Sequence, residues 1–230
     1  MATEKITIVI PILNEELTIR KNLVYLRSLH TDYELLFVDG NSSDSTVQLL
    51  QDNQFKVITS SVRGRGAQIS LGGSNAGKST ELILFLHIDT RLPQNFESMI
   101  LRQTDNNYWG RFDVKLDSDK AMFKIIEWMM NKRAQLTGIA TGDQAIFVSK
   151  NEFIRLAGNI AEYPLMEDIY LSKMLKKRLG RGIIIKSPVT TSVRYWEING
   201  VFSTILKMWK YRLMYFFGVS PAKLYQRYYK

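Results

Sequence analysis

The sequence contains no cysteine and only 2 histidines and 5 prolines among its 230 residues. Without thiols the chain can form neither a disulfide scaffold nor a thiolate metal site, which is compatible with a reducing cytosol. It also lacks a long uninterrupted apolar run, because charged residues break the later runs and the N-terminal run is short and has no signal-peptide cleavage region. We therefore expect a cytoplasmic protein without a transmembrane helix.

The charge is one-sided, with 31 Lys and Arg against 22 Asp and Glu. A formal net charge of +9 favours an anionic partner, which could be nucleic acid, a nucleotide or an anionic membrane surface. The basic residues are dispersed and form no recognised nucleic-acid-binding motif, so we expect no nucleic acid partner. With 45% hydrophobic residues, the chain should fold into one packed domain, or into one domain with an appendage.

Apolar runs alternate with helical periodicity through the first half of the chain. The predicted strands there are Ile6–Leu13, Tyr33–Val38, Phe55–Thr59 and Leu82–Leu86, and the predicted helices are Glu16–Leu29, Ser43–Asp52 and Gly66–Ala76. This alternation predicts an α/β fold with a mostly parallel sheet and helices on both faces. The second half predicts strands at Tyr108–Leu116, Ala145–Val148 and Gly182–Lys186, helices at Lys120–Leu136 and Glu167–Leu179, and a basic, aromatic helical segment from Asn199 onward.

Polar residues stand at the ends of three predicted strands. Asn14 and Glu15 follow the first strand, Asp39 the second, and Asp89 the fourth, with His87 two residues before Asp89. In open α/β sheets, ligands bind at the carboxyl ends of the strands. We therefore expect these side chains to converge on one crevice.

The stretch from Gly72 to Ser79 matches the pattern of a nucleotide-binding P-loop. A functional P-loop follows a strand and opens a helix, because the loop amides and the helix dipole hold the phosphates. Here the order is reversed, since the segment before Gly72 is predicted as a helix and a strand follows Ser79 almost at once. We interpret the match as accidental.

Four segments, "IVIPILNEE", "LLFVDGNSSDST", "LFLHIDT" and "PLMEDIYLSKML", occur in an order and at separations that resemble the inverting family 2 glycosyltransferases with the GT-A fold. Together with "RGRGAQ" and "TGDQAIFV", they are most similar to a bacterial subgroup of small stand-alone members. The resemblance runs from about Ile6 to the C-terminus. It implies transfer of a sugar from a nucleotide-diphosphate sugar, such as a UDP- or GDP-sugar, to an acceptor, assisted by a divalent metal (Mn²⁺ or Mg²⁺).

Asp89 matches the last acidic residue of the family's Asp-x-Asp motif, so the resemblance implies that it binds the metal and the donor diphosphate. A hard cation held by carboxylate oxygens can neutralise the charge that develops on such a leaving group. The first acidic position is occupied by His87, which is a departure from the motif. Histidine can bind manganese through nitrogen but is a poorer magnesium ligand. His87 is therefore either a metal ligand or a hydrogen-bonded residue at the strand end.

The resemblance also implies a donor nucleotide site. Pro11, Asn14 and Glu15 match the family's first nucleotide-binding turn, and Asp39 matches the next strand-end acid, where a carboxylate can accept hydrogen bonds from the base or ribose. The usual second acid of that motif is missing. Arg65 is the candidate for a contact with the diphosphate, because its forked donors suit phosphate.

Glu167 and Asp168 match the family's acidic catalytic dipeptide. The resemblance implies that Asp168 is the general base that removes the acceptor's proton and that Glu167 orients it or binds the acceptor. Only one of the two should be placed for proton removal, because adjacent positions on a helix point in different directions. Weaker candidates on the acceptor side are Asp143, Arg194 and Trp196, of which Trp196 could equally be a core residue.

We expect a GT-A domain over residues 1–193 and a C-terminal amphipathic helical extension over residues 194–230. The extension has apolar residues at helical spacing with lysine and arginine between them. Three interpretations stay open: packing on the domain, peripheral contact with a membrane that carries a lipid-linked acceptor, and a homodimer interface. A non-catalytic module that binds a nucleotide-sugar or a membrane surface is the main alternative to an enzyme.

Overall fold

In the part of the chain that the computed structural model describes, residues 5–103 and 108–228, eight strands pair into one mixed sheet. The strands, numbered along the chain, are β1 (Ile6–Ile12), β2 (Glu34–Asp39), β3 (Lys56–Thr59), β4 (Leu82–Phe85), β5 (Thr90–Arg91), β6 (Trp109–Leu116), β7 (Phe147–Ser149) and β8 (Ile183–Thr191).

The order across the sheet is β3-β2-β1-β4-β7-β6-β8-β5. The pairs β1–β2, β2–β3, β1–β4 and β6–β8 are parallel, whereas β7 and β5 run antiparallel to their neighbours. The predicted α/β class with a mostly parallel sheet is confirmed. Because β1, β2 and β4 run in the same direction, the polar residues that follow them lie along one edge.

Helices connect the strands and follow the last one. They are α1 (Glu16–Asp32), α2 (Thr46–Asp52), α3 (Arg65–Ser74), α4 (Phe96–Leu101), α5 (Ala121–Thr137), α6 (Lys150–Ile154), α7 (Ala157–Ile160), α8 (Glu167–Leu179), α9 (Arg194–Asn199), α10 (Val201–Phe216) and α11 (Pro221–Tyr228). Every helix within residues 5–103 and 108–228 is too short or too polar to cross a bilayer.

Alternate residues of the central strands face two separate apolar clusters. Ile8 and Phe37 belong to one cluster, and Val9 and Val38 belong to the other, and all four side chains are fully buried. Apolar side chains on both faces require helices on both faces, because neither face can be left in water. The polar strand ends are therefore the part of the sheet that remains for a ligand.

Strand β8 extends beyond the predicted strand Gly182–Lys186 and continues through Pro188 to Thr191. Proline has no N–H to donate, so within sheets it is found mainly on edge strands and at bulges. The structure accommodates Pro188 where the β6–β8 register shifts between Phe112 and Val114. That pairing is non-local and could not be inferred from the strand itself.

The first C-terminal helix, α9, begins at Arg194, before the basic, aromatic helical segment predicted from Asn199 onward. Trp196, Val201 and Ile205 pack against the larger apolar cluster. Helices α9 and α10 therefore contact the sheet domain directly.

Gly72 and Gly73, the first two glycines of the P-loop-like stretch, lie inside α3. A Cβ at Gly72 would lie 2.4 Å from Cγ1 of Val9, and a Cβ at Gly73 would lie 2.1 Å from Cε1 of Phe153. These glycines therefore allow close packing of the helix on the sheet and on α6. The strand-loop-helix order of a phosphate-binding P-loop is absent from this part of the described chain.

The first turn of α3 makes an unusually close contact with the loop that precedes α8. A Cβ at Gly66 would lie 2.3 Å from the carbonyl oxygens of both Ile160 and Tyr163. The backbone N–H of Arg65 donates to the carbonyl of Pro164 at 3.3 Å. A side chain at position 66 would therefore separate α3 from the segment that leads to Glu167 and Asp168.

Replacing Gly66 by Ala is expected to lower the free energy of unfolding by about 1–3 kcal/mol, because the new Cβ overlaps backbone atoms that cannot rotate away. Urea denaturation followed by circular dichroism measures the change. Gly158→Ala is the matched control, since its added Cβ meets nothing within 4 Å, and its stability should equal or slightly exceed that of the wild type. Equal stability of the two variants would contradict the close contact.

Candidate active site

The segment from Thr141 to Gln144, here called the TGDQ loop, lies at the centre of the polar groups near the sheet edge. The backbone N–H of Thr141 donates to Oε1 of Gln144 at 3.2 Å, and the two residues form a capping box around a single 3₁₀ turn. Gln144 is fully buried. The loop therefore has a fixed shape from which Gly142 and Asp143 face other elements.

His87 follows β4 and has polar groups against both ring nitrogens. Its Nδ1 is 3.3 Å from Oδ1 of Asp143, and its Nε2 is 3.4 Å from Nη1 of Arg65. Because a guanidinium only donates, Nε2 is the acceptor, and the proton resides on Nδ1 and is donated to Asp143. Gly142 makes room for the ring, since a Cβ there would lie 2.5 Å from Nε2.

The carboxyl of Asp143 is poised to stay ionised. Burial would raise its pKa, but the hydrogen bond from His87 and the positive charges of Arg65 and Arg133 outweigh burial and lower that pKa. Asp143, which the sequence offered only as a weak acceptor-side candidate, therefore positions His87 and Arg65.

Helix α8 begins at Glu167, and its first two residues have different surroundings. Oδ2 of Asp168 accepts the backbone N–H of Gly142 at 3.0 Å, and the Asp168 side chain is partly exposed. Glu167 is only 4% exposed. Both residues line a crevice, together with three other predicted site residues at its rim: Pro11, Arg65 and His87.

Glu167 is the member of the acidic pair whose pKa is raised. Burial, followed by the negative charge of Asp168, raises the pKa of Glu167 to about 8, against the opposing charge of Arg65. At neutral pH Glu167 is therefore mainly protonated. It can donate a hydrogen bond but cannot accept a proton from a substrate.

Asp89 lies at the same sheet edge, and its carboxyl is half-buried. Burial, together with the negative charges of Asp143 and Glu15, raises its pKa, whereas His87 and Arg194 act in the opposite direction. No hydrogen bond from the described residues reaches this carboxylate. A hard cation would stabilise its ionised form, and such cations often combine one or two protein carboxylates with substrate phosphates. Asp89 therefore fits a metal whose coordination a ligand completes.

A metal cage built from protein alone is absent from the described residues, because no three His, Cys, Asp or Glu side chains converge there. The second predicted ligand, His87, has both ring nitrogens against Asp143 and Arg65. The donor set therefore fits a cation held by Asp89 better than one held by Asp89 and His87.

The turns after β1 and β2 are tied to each other by hydrogen bonds. Oδ1 of Asn14 accepts the N–H of Ser43 at 2.8 Å, and the N–H of Asn14 donates to Oγ of Ser42 at 2.9 Å. The buried carboxylate of Asp39 accepts the N–H groups of Asn41 and Ser42. Asn14 and Asp39 thus shape the turns at the donor edge, and their contact with a nucleotide stays a prediction.

Glu15 and Arg194 form an ion pair at 3.1 Å, and Arg194 also donates to Oγ1 of Thr18 at 2.6 Å. This network fixes α9 against the turn after β1. Trp196 packs partly buried against the larger apolar cluster. Neither Arg194 nor Trp196 lines the crevice that contains Asp168.

Gln68 is a structural residue of the site that the sequence did not reveal. Its buried Nε2 donates to the carbonyls of Ile12 and Val38 at 2.8 and 2.7 Å. One side chain on α3 therefore holds the ends of β1 and β2 together at the donor edge. The feature of the sequence that could have indicated this role is a polar residue one helical turn before Gly72, on the face of α3 that packs against the sheet.

A comparison with family models finds that the model described as "Glycosyl transferase family 2" matches residues 7–157. Among solved structures, residues 1–349 of S. aureus TarS align with a TM-score of 0.60 and 17% identity, covering 84% of this chain and 63% of that chain. The same protein in complex with UDP aligns at 18% identity. This chain thus spans less than two thirds of the TarS fragment.

Glucosyl-3-phosphoglycerate synthase from Mycobacterium tuberculosis, in complex with Mn²⁺, UDP and glucosyl-3-phosphoglycerate, aligns with a TM-score of 0.56 and 16% identity, covering 82% of this chain and 70% of that chain. A further structure of that synthase contains Mg²⁺ and UDP. At these identities the likeness establishes a shared GT-A fold.

Glu167→Gln is expected to flatten the pH dependence of stability. The pKa of Glu167 is about 8 in the folded protein against 4.5 for a solvent-exposed glutamate, so the native state binds an extra proton and wild-type stability falls as pH rises through that interval. Glutamine cannot ionise, so the variant should not show this fall in the free energy of unfolding, which amounts to up to a few kcal/mol in the wild type. Urea unfolding across the interval measures the difference.

The exposed Glu162→Gln variant is the matched control and should follow the wild-type pH profile. If Glu167→Gln also follows that profile, the carboxyl of Glu167 is not protonated in the folded protein.

Proposed function

The chain belongs to glycosyl transferase family 2, and from this premise we propose that it is an inverting glycosyltransferase that moves a sugar from a nucleotide-diphosphate sugar to an acceptor hydroxyl. The observation that carries the proposal is the position of Asp168. Its carboxylate is held by the N–H of Gly142 in a crevice that also contains Arg65 and the strand-end residue Pro11. The carboxylate of Asp168, as the base, and the guanidinium of Arg65, as the phosphate contact, thus line the same crevice.

Asp168 is the general base in this proposal. An inverting transfer needs one carboxylate that removes the acceptor's proton as the hydroxyl attacks. Glu167 holds the proton of the pair at neutral pH, so it serves as a hydrogen-bond donor that orients the acceptor or Asp168. The hydrogen bond from Gly142 fixes the direction of the Asp168 carboxylate.

A divalent cation, Mn²⁺ or Mg²⁺, would be held by Asp89 and by the donor diphosphate, and it would neutralise charge on the leaving group. We assign His87 a positioning role, because its ring connects Asp143 to Arg65. Arg65 then presents its guanidinium to the diphosphate from the first turn of α3. The UDP, Mn²⁺ and Mg²⁺ in the similar solved structures support a UDP-sugar and either metal.

We further propose that α10 and α11 lie on an anionic membrane surface. Phe202, Leu206, Trp209, Leu213 and Phe216 recur in steps of four and three residues along α10, and each is at least 50% exposed. Residues 201–228 contain five lysines and arginines and no acidic residue. An exposed apolar stripe beside unbalanced positive charge is typical of a helix in a lipid headgroup region.

Nucleotide binding tests the proposed donor site. Calorimetric titration with UDP, GDP, CDP and dTDP, each with and without Mn²⁺, should find one metal-dependent ligand. Asp89→Asn should weaken that binding by at least about tenfold, because it removes the charged metal ligand. The exposed Asp119→Asn variant is the control and should bind like the wild type. The donor assignment would be wrong if no nucleotide bound under any condition.

Turnover separates the enzyme from a non-catalytic binding module on the same fold. Asp168→Asn should bind nucleotide normally but release nucleoside diphosphate from the donor sugar about 10²- to 10⁴-fold more slowly than the wild type. Nucleotide binding without turnover in the wild type would favour the binding module.

Vesicle co-sedimentation tests the membrane surface. Trp209→Glu should reduce binding to vesicles rich in phosphatidylglycerol by about tenfold or more, because it removes a large apolar side chain and adds a repelled charge. Val24→Glu, which changes an exposed apolar residue on α1, should bind like the wild type. Equal loss in both variants, or equal binding to neutral vesicles, would contradict the proposal.

A further inference from the structure

Arg133 on α5 presents an incompletely satisfied guanidinium beside the TGDQ loop. Its Nη2 donates to Oγ1 of Thr141 at 3.2 Å. Its Nε is buried and has no hydrogen-bond acceptor among the described residues. The next residue of the loop, Gly142, donates to Asp168. The same short loop therefore holds both the arginine and the carboxylate of the proposed base.

Arg212 approaches the same place from α10. Its side chain is partly buried, and within the described part of the chain it has neither a hydrogen bond nor an ion pair at contact distance. Asp168 nevertheless acts on it electrostatically. The ammonium of Lys173, on α8, lies 5.1 Å from the ring centre of Tyr215, which is one turn beyond Arg212. This contact holds α10 beside the helix that carries Asp168.

The two arginines influence each other. Burial, followed by the positive charge of Arg212, lowers the pKa of Arg133 to about 10, although Asp168 and Asp143 oppose the shift. Two half-buried guanidinium groups near one another are unfavourable unless an anion lies between them. Asp168 compensates only in part, because it forms no close ion pair with either arginine in the described chain.

Removal of a proton by a carboxylate does not require guanidinium groups beside it. Guanidinium groups instead suit an anionic group, so the pair makes chemical sense as part of a substrate site.

Arg133 and Arg65 are connected to different residues of the TGDQ loop. Asp143 contacts His87, whose ring also contacts Arg65, whereas Thr141 accepts a hydrogen bond from Arg133. Arg65 lines the crevice that contains Asp168, and Arg133 and Arg212 lie outside that lining. Both arginines interact electrostatically with Asp168 from there.

We propose that the acceptor carries an anionic group, a carboxylate or a phosphate, that binds between Arg133 and Arg212 while its hydroxyl reaches Asp168. The proposal rests on the proposed function for the role of the hydroxyl, but the anion site exists independently of turnover. Forked guanidinium donors suit both anions, and the unused Nε of Arg133 supplies one of them. The anion could belong to a soluble molecule or to a lipid headgroup.

The NMR chemical shifts of arginine Nε–H groups report directly on anion binding at the proposed site. Inorganic phosphate, titrated into the full chain, should shift the signals of Arg133 and Arg212, each assigned by its absence in the Arg→Lys variant. The signal of Arg65 reports the donor side separately. Shifts confined to Arg65, or no shift at all, would overturn the proposal whether or not a nucleotide binds.

Acceptor competition tests the substrate class. With the nucleotide-sugar that titration selects, glycerol 3-phosphate or phosphatidylglycerol vesicles should support faster release of nucleoside diphosphate than glycerol. If glycerol 3-phosphate is the better acceptor, the anion belongs to a soluble molecule. If phosphatidylglycerol is the better acceptor, the anion belongs to a lipid headgroup. Equal use of glycerol and both anionic compounds would overturn the proposal.

Paired variants complete the test. Arg133→Gln and Arg212→Gln should each reduce kcat/KM for the anionic acceptor by about 10- to 100-fold, which is the loss expected for a charge-assisted hydrogen bond. Both should bind nucleotide and metal normally. Lys132→Gln removes an exposed charge from α5 next to Arg133 and should match the wild type. A similar loss with glycerol as with the anionic acceptor would contradict an anion site.

Discussion

The close approach of α3 to the loop before α8 is the constraint on which the site depends. Gly64, which has a φ of 114°, and Gly66 allow the backbone of α3 to touch the backbone of residues 160–164. This contact places Arg65, which also contacts His87 after β4, next to the segment that leads into α8. Arg65, His87 and the proposed base Asp168 therefore line one crevice, and this close approach requires two positions without side chains.

Neighbouring carboxyls at the site have different pKa values because their surroundings differ. Asp143 has a lowered pKa because His87 and arginines surround it, whereas burial and Asp168 raise the pKa of Glu167 to about 8. The ionised form is favoured for Asp143, and the protonated, hydrogen-bond-donating form is favoured for Glu167. Divergent pKa values among close groups are typical of a site that handles protons.

The sequence predicted the edge of the sheet on which the polar side chains lie, because the strands that precede them are parallel. Parallel strands end at one edge, so the positions of Asp39, His87 and Asp89 followed from the apolar runs alone. The contacts that these side chains make could not be inferred from the sequence. That His87 bonds to Asp143, that Gln68 holds two strands together, and that Arg194 pairs with Glu15 all depend on contacts between residues far apart in the chain.

The sequence by itself determined the α/β class, the mostly parallel sheet and the edge that carries the polar residues, because these follow from local periodicity. Only the tertiary structure decided that the pKa of Glu167 is raised, how β8 continues past Pro188, and that Arg133 and Arg212 interact electrostatically with Asp168. The reason is that burial, electrostatic fields and strand pairing depend on contacts between segments that are far apart in the chain. A short stretch of sequence does not show these contacts.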